Sequence, residues 1–325
     1  MYFALALTGP TASGKTALSV KLAEALSLEI ISLDSMQIYN GMDIGTAKVK
    51  QEEMLGVRHH LIDFLDPREQ YSTENYRTDA MRAVEDITSR GSLALFVGGT
   101  GLYLDTLTRT SSLAPESDAE WFDKMLSGIK TDSDKEALWN KLYEVDREAA
   151  ENIHKNNVRR VLRALEIYEK TGRTKTYFDN LSKKGRPDIK IGHITLDFHN
   201  RDNLYSRVDK RVDIMLKEGR VEEVRTLYEN GSLSPDTTAS QAIGYKEMLA
   251  YIKGEGTLSE AAELIKLSSR RYAKRQLTWF RAKDAVKVYL DRDNGEMRDF
   301  DEVFSEIRCI AMKMINDNFT ERNTK

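Results

Sequence analysis

The sequence predicts an α/β fold: a parallel sheet with helices on both faces, interrupted by a helical insertion. Three observations predict it. Apolar runs alternate with helical patterns along 325 residues, a glycine-rich loop joins the first run to the first helix, and the alternation stops between about 112 and 187. The runs at 2–8, 29–33, 60–64, 93–97, 191–198 and 286–290 read as strands, with helices over 15–27 and 73–90. Continuous apolar runs suit strands buried on both faces, and strand–helix alternation implies parallel neighbours. Ligands of such sheets bind beyond the carboxyl ends of the strands. That rule gathers the loops after residues 7, 33, 64 and 97 into one crevice.

Residues 112–187 are charged, carry turn signals at Gly128, Gly172 and Gly185-Arg186-Pro187, and show no strand pattern. They are read as a helical insertion into a core built from 1–111 and 188–325. Beyond 198 amphipathic helical runs cover 201–228 and 259–280, and the last dozen polar residues read as a frayed end.

Composition bounds the function classes. With 40% hydrophobic and 31% charged residues the chain is ordinary for a soluble globular protein. One cysteine, Cys309, excludes an internal disulfide and a cysteine-built zinc site. No apolar run approaches the roughly twenty residues that span a bilayer, and no signal peptide is visible, so the expected location is the cytoplasm. The net charge of −3 argues against a nucleic-acid partner, but its distribution argues for one. Ten Lys or Arg against three acids lie between Lys155 and Arg186, and eight against Asp284 alone between Lys266 and Lys287. Local clusters are the footprint of phosphate-backbone binding, although a single cluster also suits a solvated helix face.

The loop Gly9-Pro10-Thr11-Ala12-Ser13-Gly14-Lys15-Thr16 fits G-x-x-x-x-G-K-[ST] in the setting that motif needs, a strand before it and a helix after it. It makes the sheet P-loop NTPase-like, a nucleotide-binding and commonly ATP-binding class. Gly9 and Gly14 permit the angles that turn the amides of Thr11, Ala12 and Ser13 towards one anion, and the helix adds its positive end. Lys15 reaches an outer phosphate, and the hydroxyl of Thr16 suits Mg²⁺. The plainer reading is a turn that merely caps a helix.

The second strand leads into Asp34-Ser35-Met36-Gln37-Ile38-Tyr39. A carboxylate there could organise Mg²⁺ through water or act as a general base beside the phosphates, and Gln37 suits adenine. The alternative is a capping box from Asp34 to Gln37. The fourth strand leads into Gly98-Gly99-Thr100-Gly101, where Thr100 offers a hydroxyl to the crevice or caps the next helix. His59 and His60 are adjacent on a strand and point to opposite faces, so a core role fits them better than a metal pair. Basic residues interleave with Tyr272, Trp279 and Phe280 over 269–281, which suits phosphates and stacked bases; for Trp279 and Phe280 an amphipathic helix with a buried aromatic face is preferred.

In this order the strings GPTASGKT, DSMQIY, GGTGLY, RRVLRALE (159–166), QAIGYKE (241–247) and RRYAKRQLTWFR (270–281) closely resemble the tRNA dimethylallyltransferases, or tRNA isopentenyltransferases. The resemblance implies transfer of a dimethylallyl group from dimethylallyl diphosphate to the exocyclic amine of the adenosine 3′ to the anticodon, in tRNAs reading codons that begin with U. It implies Mg²⁺, a phosphate loop that holds the isoprenoid diphosphate, Asp34 as general base and Thr100 beside the reacting groups. It also implies an arginine on the diphosphate, for which Arg207 is the first choice and Arg211 the second. Contacts to tRNA would come from Asp34, Ser35, Met36 and Gln37, from Arg159, Arg160, Val161, Leu162 and Arg163, and from Gln241, Ala242, Ile243, Gly244, Tyr245 and Lys246. The insertion would grip the anticodon stem-loop. Without cysteines for the zinc finger of eukaryotic relatives the chain looks bacterial-type, and a monomer is expected. A small-molecule or nucleotide kinase would leave the basic clusters unexplained. An adenylate isopentenyltransferase would need neither the clusters nor the insertion, and a non-catalytic RNA-binding module would leave Lys15, Thr16 and Asp34 without a purpose.

Overall fold

The computed structural model describes residues 1–108, 114–115, 117–184, 188–234 and 237–323. Its first half runs β1 (Tyr2–Thr8), α1 (Lys15–Leu26), β2 (Leu28–Leu33), β3 (His59–His60), α2 (Thr73–Ser89), β4 (Leu93–Gly98) and α3 (Gly101–Thr108). Five helices follow: α4 (Ala119–Ser127), α5 (Asp132–Val145), α6 (Arg147–Asn152), α7 (Val158–Thr171) and α8 (Lys175–Lys184). The chain then forms β5 (Ile189–Asp197), α9 (Arg201–Lys217), α10 (Arg220–Glu229), α11 (Tyr245–Ile252), α12 (Leu258–Arg281), β6 (Val286–Tyr289) and α13 (Phe300–Asn323). Two compact units result, Met1–Thr108 with Ile189–Lys325, and Arg109–Asp188.

In the first unit the strands form one sheet in the order β3-β2-β4-β1-β5-β6, every pair parallel. The two-residue period of β1 explains its layers. Phe3, Leu5 and Leu7 point into one core with Leu18 and Leu22 of α1, Leu204 of α9, Leu277 of α12 and Ile307 of α13. The small residues Ala4 and Ala6 face the opposite core, where Tyr76 and Val84 of α2 and Leu104 of α3 pack. Both faces are therefore covered, which is why the strands read as unbroken apolar runs.

Three expectations are corrected. The strand expected over 60–64 pairs only at His59–His60, because Leu61 and Asp63 take φ of 57° and 54° and leave the extended region. Asp63 and Phe64 then donate their amides to the carbonyls of Gln37 and Ile38, so this segment braces the turn after β2. The helical run over 201–228 divides at Gly219, whose φ of 103° ends α9 and opens α10. The frayed end expected at the carboxyl terminus is instead α13, anchored by Val303, Phe304, Ile307 and Ala311 and helical to Asn323. No helix among the described residues is long and apolar enough to cross a membrane.

The second unit is built around Leu138, Leu142, Ala150, Val161, Leu162 and Leu165. Its described elements are all helices, and the caps are legible: Asp118, Thr131 and Asp146 each accept the amide three residues on. Asp146 also accepts from the amide and hydroxyl of Thr176, tying α6 to α8.

Candidate active site

Three loops at the carboxyl ends of β1, β2 and β4 build the site. In the first, Gly9 has φ of 145°, and a Cβ there would lie 2.9 Å from both Cβ and the carbonyl oxygen of Leu196, so only glycine lets the loop pass this close to β5. Ala12 and Gly14 take left-handed angles, φ 62° and 86°. Gly14 supplies no side-chain cap to α1, which leaves the first amides of the helix for an anion. Lys15 folds back and donates to the carbonyls of Gly9 (2.9 Å) and Pro10 (2.6 Å). Burial, then the nearby Arg211 cation, lower its pKa to about 7, against the opposing charge of Asp34. Ser13 is buried within the loop, whereas Thr16 stands exposed on the first turn of α1 and lines the cavity.

The second loop turns on Asp34. Its Oδ1 accepts the amides of Met36 (2.8 Å) and Gln37 (3.3 Å), but a tight turn rather than a helix follows, and the Gln37 side chain does not return to Asp34, so the capping box does not form. The second carboxylate oxygen takes no part in that turn. Gln37 donates its amide to the carbonyls of Thr46 (3.2 Å) and Ala47 (3.3 Å), so the donor expected to read adenine is spent on the protein's own loop. The third loop meets the second where the hydroxyl of Thr100 accepts the amide of Ser35 at 3.2 Å. Gly98 is required here, since a Cβ would lie 2.3 Å from the Leu33 carbonyl oxygen.

These loops open on a cavity of about 950 Å³, walled in part by Lys15, Asp34, Arg211, Tyr245, Tyr272 and Gln276. The two arginines offered for the diphosphate separate here. Arg207 donates Nε to the Ala12 carbonyl at 2.7 Å and so braces the phosphate loop from outside. Arg211 lines the cavity itself; burial holds its pKa below the ordinary value against the pull of Asp34, with Arg220 and Arg207 adding repulsion. Two cations, Lys15 and Arg211, therefore converge near one carboxylate on the cavity wall, an arrangement that suits an anion.

Arg220 and Glu223 of α10 and Gln276 of α12 are site residues that the sequence reading does not single out. Arg220, only 1% exposed, donates to the Ile243 carbonyl at 2.8 Å and lies over the Tyr245 ring at 5.6 Å from its centroid. It fills the space beside Gly244, where a Cβ would come 1.6 Å from its Nη2. Glu223 accepts the amides of Asp43, Ile44 and Gly45 and the hydroxyl of Tyr245. Tyr272 and Gln276, one helical turn apart on α12, face the cavity together. Burial, then the charge of Asp34, push the Tyr272 hydroxyl up to about 12, so it stays a neutral donor.

Of the segment 241–246, Gln241 and Lys246 are exposed, whereas Ala242, Gly244 and Tyr245 are buried and wall the cavity or pack behind it. Tyr245 is fully buried on the cavity wall, its hydroxyl donated to Glu223. In the second unit Arg159 and Arg160 are exposed, but Val161 and Leu162 are fully buried and cannot present side chains to a ligand. Period 3.6 explains it: a step of two residues, about 200° around the helix, carries the pair 161–162 to the side opposite the exposed pair 159–160. Arg163 is turned to the buried Glu166 at 2.6 Å and to the Pro115 carbonyl. Of the aromatics on α12, Phe280 is buried as expected, while Trp279 stays 37% exposed and packs beside Gly101. His59 and His60 take separate partners, the Val57 carbonyl and Glu29.

The comparisons with known proteins agree with this geometry. The family model described as IPP transferase matches residues 37–283. A tRNA dimethylallyltransferase of Anoxybacillus flavithermus is 47% identical over 87% of this chain and 88% of its own length, and one of Thermoanaerobacter sp. (strain X514) is 43% identical over 88% and 91%. The crystal structure of the tRNA isopentenylpyrophosphate transferase of Bacillus halodurans superposes with a TM-score of 0.71 at 41% identity, covering 99% of both chains. A eukaryotic dimethylallyltransferase acting on tRNA superposes with a TM-score of 0.75 at 31% identity, over 89% of this chain and 74% of that one. With a phosphate loop, an aspartate and a threonine gathered at the carboxyl end of the sheet and likeness of this extent, the chain belongs to the IPP transferase family, the tRNA dimethylallyltransferases.

Proposed function

We propose that this enzyme transfers a dimethylallyl group from dimethylallyl diphosphate to the exocyclic amine of the adenosine 3′ to the anticodon, in tRNAs reading codons that begin with U. The observation that carries the reading is the convergence of Lys15 and Arg211 on a cavity whose other wall holds Asp34. The amides of the phosphate loop and the two cations hold the diphosphate and take up the negative charge that develops on it as the allylic C–O bond breaks. The adenosine, flipped from its loop, presents its amine to the allylic carbon. A new C–N bond forms, the C–O electron pair leaves with diphosphate, and Asp34 accepts the amine proton. Thr100, joined to the Asp34 turn through Ser35, borders the reacting groups.

Mg²⁺ is part of the proposal. Among the described residues no cluster of three or more His, Cys, Asp or Glu could hold a metal alone. That fits an ion that takes most ligands from phosphate and water, with the exposed hydroxyl of Thr16 as the protein's own. Bound there, it would neutralise charge on the diphosphate.

Arg211 is assigned to the donor and Arg207 to the loop that holds it. Replacing Arg211 by Gln raises the donor's KM about tenfold to a hundredfold, the range for a lost hydrogen bond to a charged group, and Arg207→Gln has the smaller effect. Steady-state kinetics at saturating tRNA decide; the reverse order would return the diphosphate to Arg207.

The helical unit is proposed to bind the anticodon stem-loop through its exposed Arg159 and Arg160. Replacing Arg159 and Arg160 by Gln lowers the slope of log affinity for tRNA against log salt by about 1 per residue. An unchanged slope would leave this pair a solvated face. The enzyme is placed in the cytoplasm as a monomer.

Incubation with labelled dimethylallyl diphosphate, offering tRNA beside free AMP, tests the whole reading. Label enters tRNA. Label in AMP would indicate a nucleotide prenyltransferase, and productive use of ATP with no prenyl transfer a kinase.

A further inference from the structure

The phosphate loop and the Thr100 loop belong to different strands, and the same side chain bonds to both. Gln276 on α12 accepts the amide of Thr11 through Oε1 at 2.8 Å and donates Nε2 to the carbonyl of Gly99 at 3.0 Å. The partners dictate the orientation, since an amide N–H can only donate and a carbonyl can only accept. The side chain is 5% exposed, so neither bond is readily exchanged for water. The fit is close: a Cβ on Gly99 would lie 2.0 Å from Nε2, so glycine is what admits the clamp. Tyr272, one turn earlier on α12, lines the same cavity beside Gln276.

We propose that Gln276 is a positioning residue that locks the phosphate loop to the Thr100 loop and so sets the separation between the leaving diphosphate and the acceptor amine. The inference rests on the prenyl-transfer reading above. The requirement is chemical: the position needs one donor and one acceptor on a planar group of this length. An ionised carboxylate supplies two acceptors, and an isobutyl group neither. Displacements near 1 Å at a reacting pair cost about 10²-fold in rate, so loosening the clamp should be felt in turnover.

The test compares Gln276→Leu and Gln276→Glu with the wild-type enzyme, using tRNA and dimethylallyl diphosphate. Gln276→Leu should lower kcat by about 10- to 100-fold and raise the donor's KM, with the KM for tRNA within about 2-fold of wild type. Gln276→Glu should be similarly impaired at pH 8. Its activity relative to wild type should rise about 10-fold as pH falls towards 6, because the protonated carboxyl again donates to Gly99 while accepting from Thr11. Burial and the facing carbonyl raise the pKa of the introduced group towards that window. If Gln276→Leu does not fold, the pH ratio of Gln276→Glu decides alone. A flat ratio, or a folded Gln276→Leu with wild-type kcat, would overturn the clamp. A wild-type enzyme that does not prenylate tRNA would instead sink the reading on which the clamp rests.

Discussion

Asp34→Asn should lower kcat by about 10² to 10⁴-fold, the range of general acid–base help, while tRNA affinity and folding stay near wild type. The substitution is chosen for what it keeps. Asparagine retains an Oδ1 that can accept the amides of Met36 and Gln37, so the turn after β2, and with it the amide of Ser35 on Thr100, should hold. What disappears is a proton acceptor and a negative charge facing Lys15 and Arg211. Losing that charge removes a repulsion from the donor but also lowers the Lys15 pKa further, so at a pH low enough to keep Lys15 protonated the donor should bind as tightly as before or more so. A fall in kcat without a rise in the donor's KM is therefore the signature of the base. Alanine would lose the turn as well and mix the two effects. Single-turnover measurement with labelled donor separates chemistry from product release, and turnover within about 3-fold of wild type would remove Asp34 from the role.

The sheet was legible because its strands are buried on both faces. An unbroken run such as Leu93–Val97 has no other comfortable home in a chain that alternates with helices, and β4 occupies Leu93–Gly98. The segment after His60 failed for the same reason in reverse. Leu61-Ile62 is apolar enough to read as strand, but positive φ at Leu61 and Asp63 depends on bonds to Gln37 and Ile38, partners that no local pattern announces. The carboxyl-terminal helix was missed because its outward face is polar to the end, while Val303, Phe304, Ile307 and Ala311 that anchor it lie earlier in the segment.

The site divides along a similar line. Gly9, Gly14, Lys15, Asp34 and Thr100 were readable because each stands next to a strand's carboxyl end in a motif whose chemistry is local. Glu223 and Gln276 act on loops far away in sequence, and Arg220 on a carbonyl 23 residues on; the bond between Gln276 and Thr11 spans 265 residues. Their local signal is Tyr272 and Gln276 at helical spacing, on a helix whose neighbouring aromatics also suit stacked bases. Burial inverted two further readings. Val161 and Leu162 lie in a basic string, but an amphipathic helix turns them inward, and the string's charge says nothing about its apolar members.

Lys15→Met should reduce kcat/KM for the donor by about 10² to 10³-fold, because the lost ammonium would otherwise meet charge developing on the leaving diphosphate. A second consequence follows from the environment of Lys15. Its pKa near 7 reflects burial first and Arg211 second, and both act on the enzyme without donor. Bound diphosphate favours the charged form and raises that pKa. Below pH 7 the lysine is already protonated, so binding needs no proton. Above pH 7 the free enzyme progressively loses it, and binding must recover it from solvent at a cost that grows by about a factor of ten per pH unit. Donor affinity should therefore be highest at or below pH 7 and decline towards pH 9, with proton uptake on binding in that interval. Titration calorimetry in buffers of different ionisation enthalpy measures the uptake directly. Lys15→Arg supplies the control: a guanidinium stays charged across the range, so the decline should flatten even where its different shape lowers turnover. Arg211 provides no such slope, since a guanidinium stays charged across this range. Wild-type affinity that is level from pH 6 to 9, with no proton taken up, would mean that Lys15 is charged before the donor arrives and that the loop, unlike Asp34, is set by contacts alone.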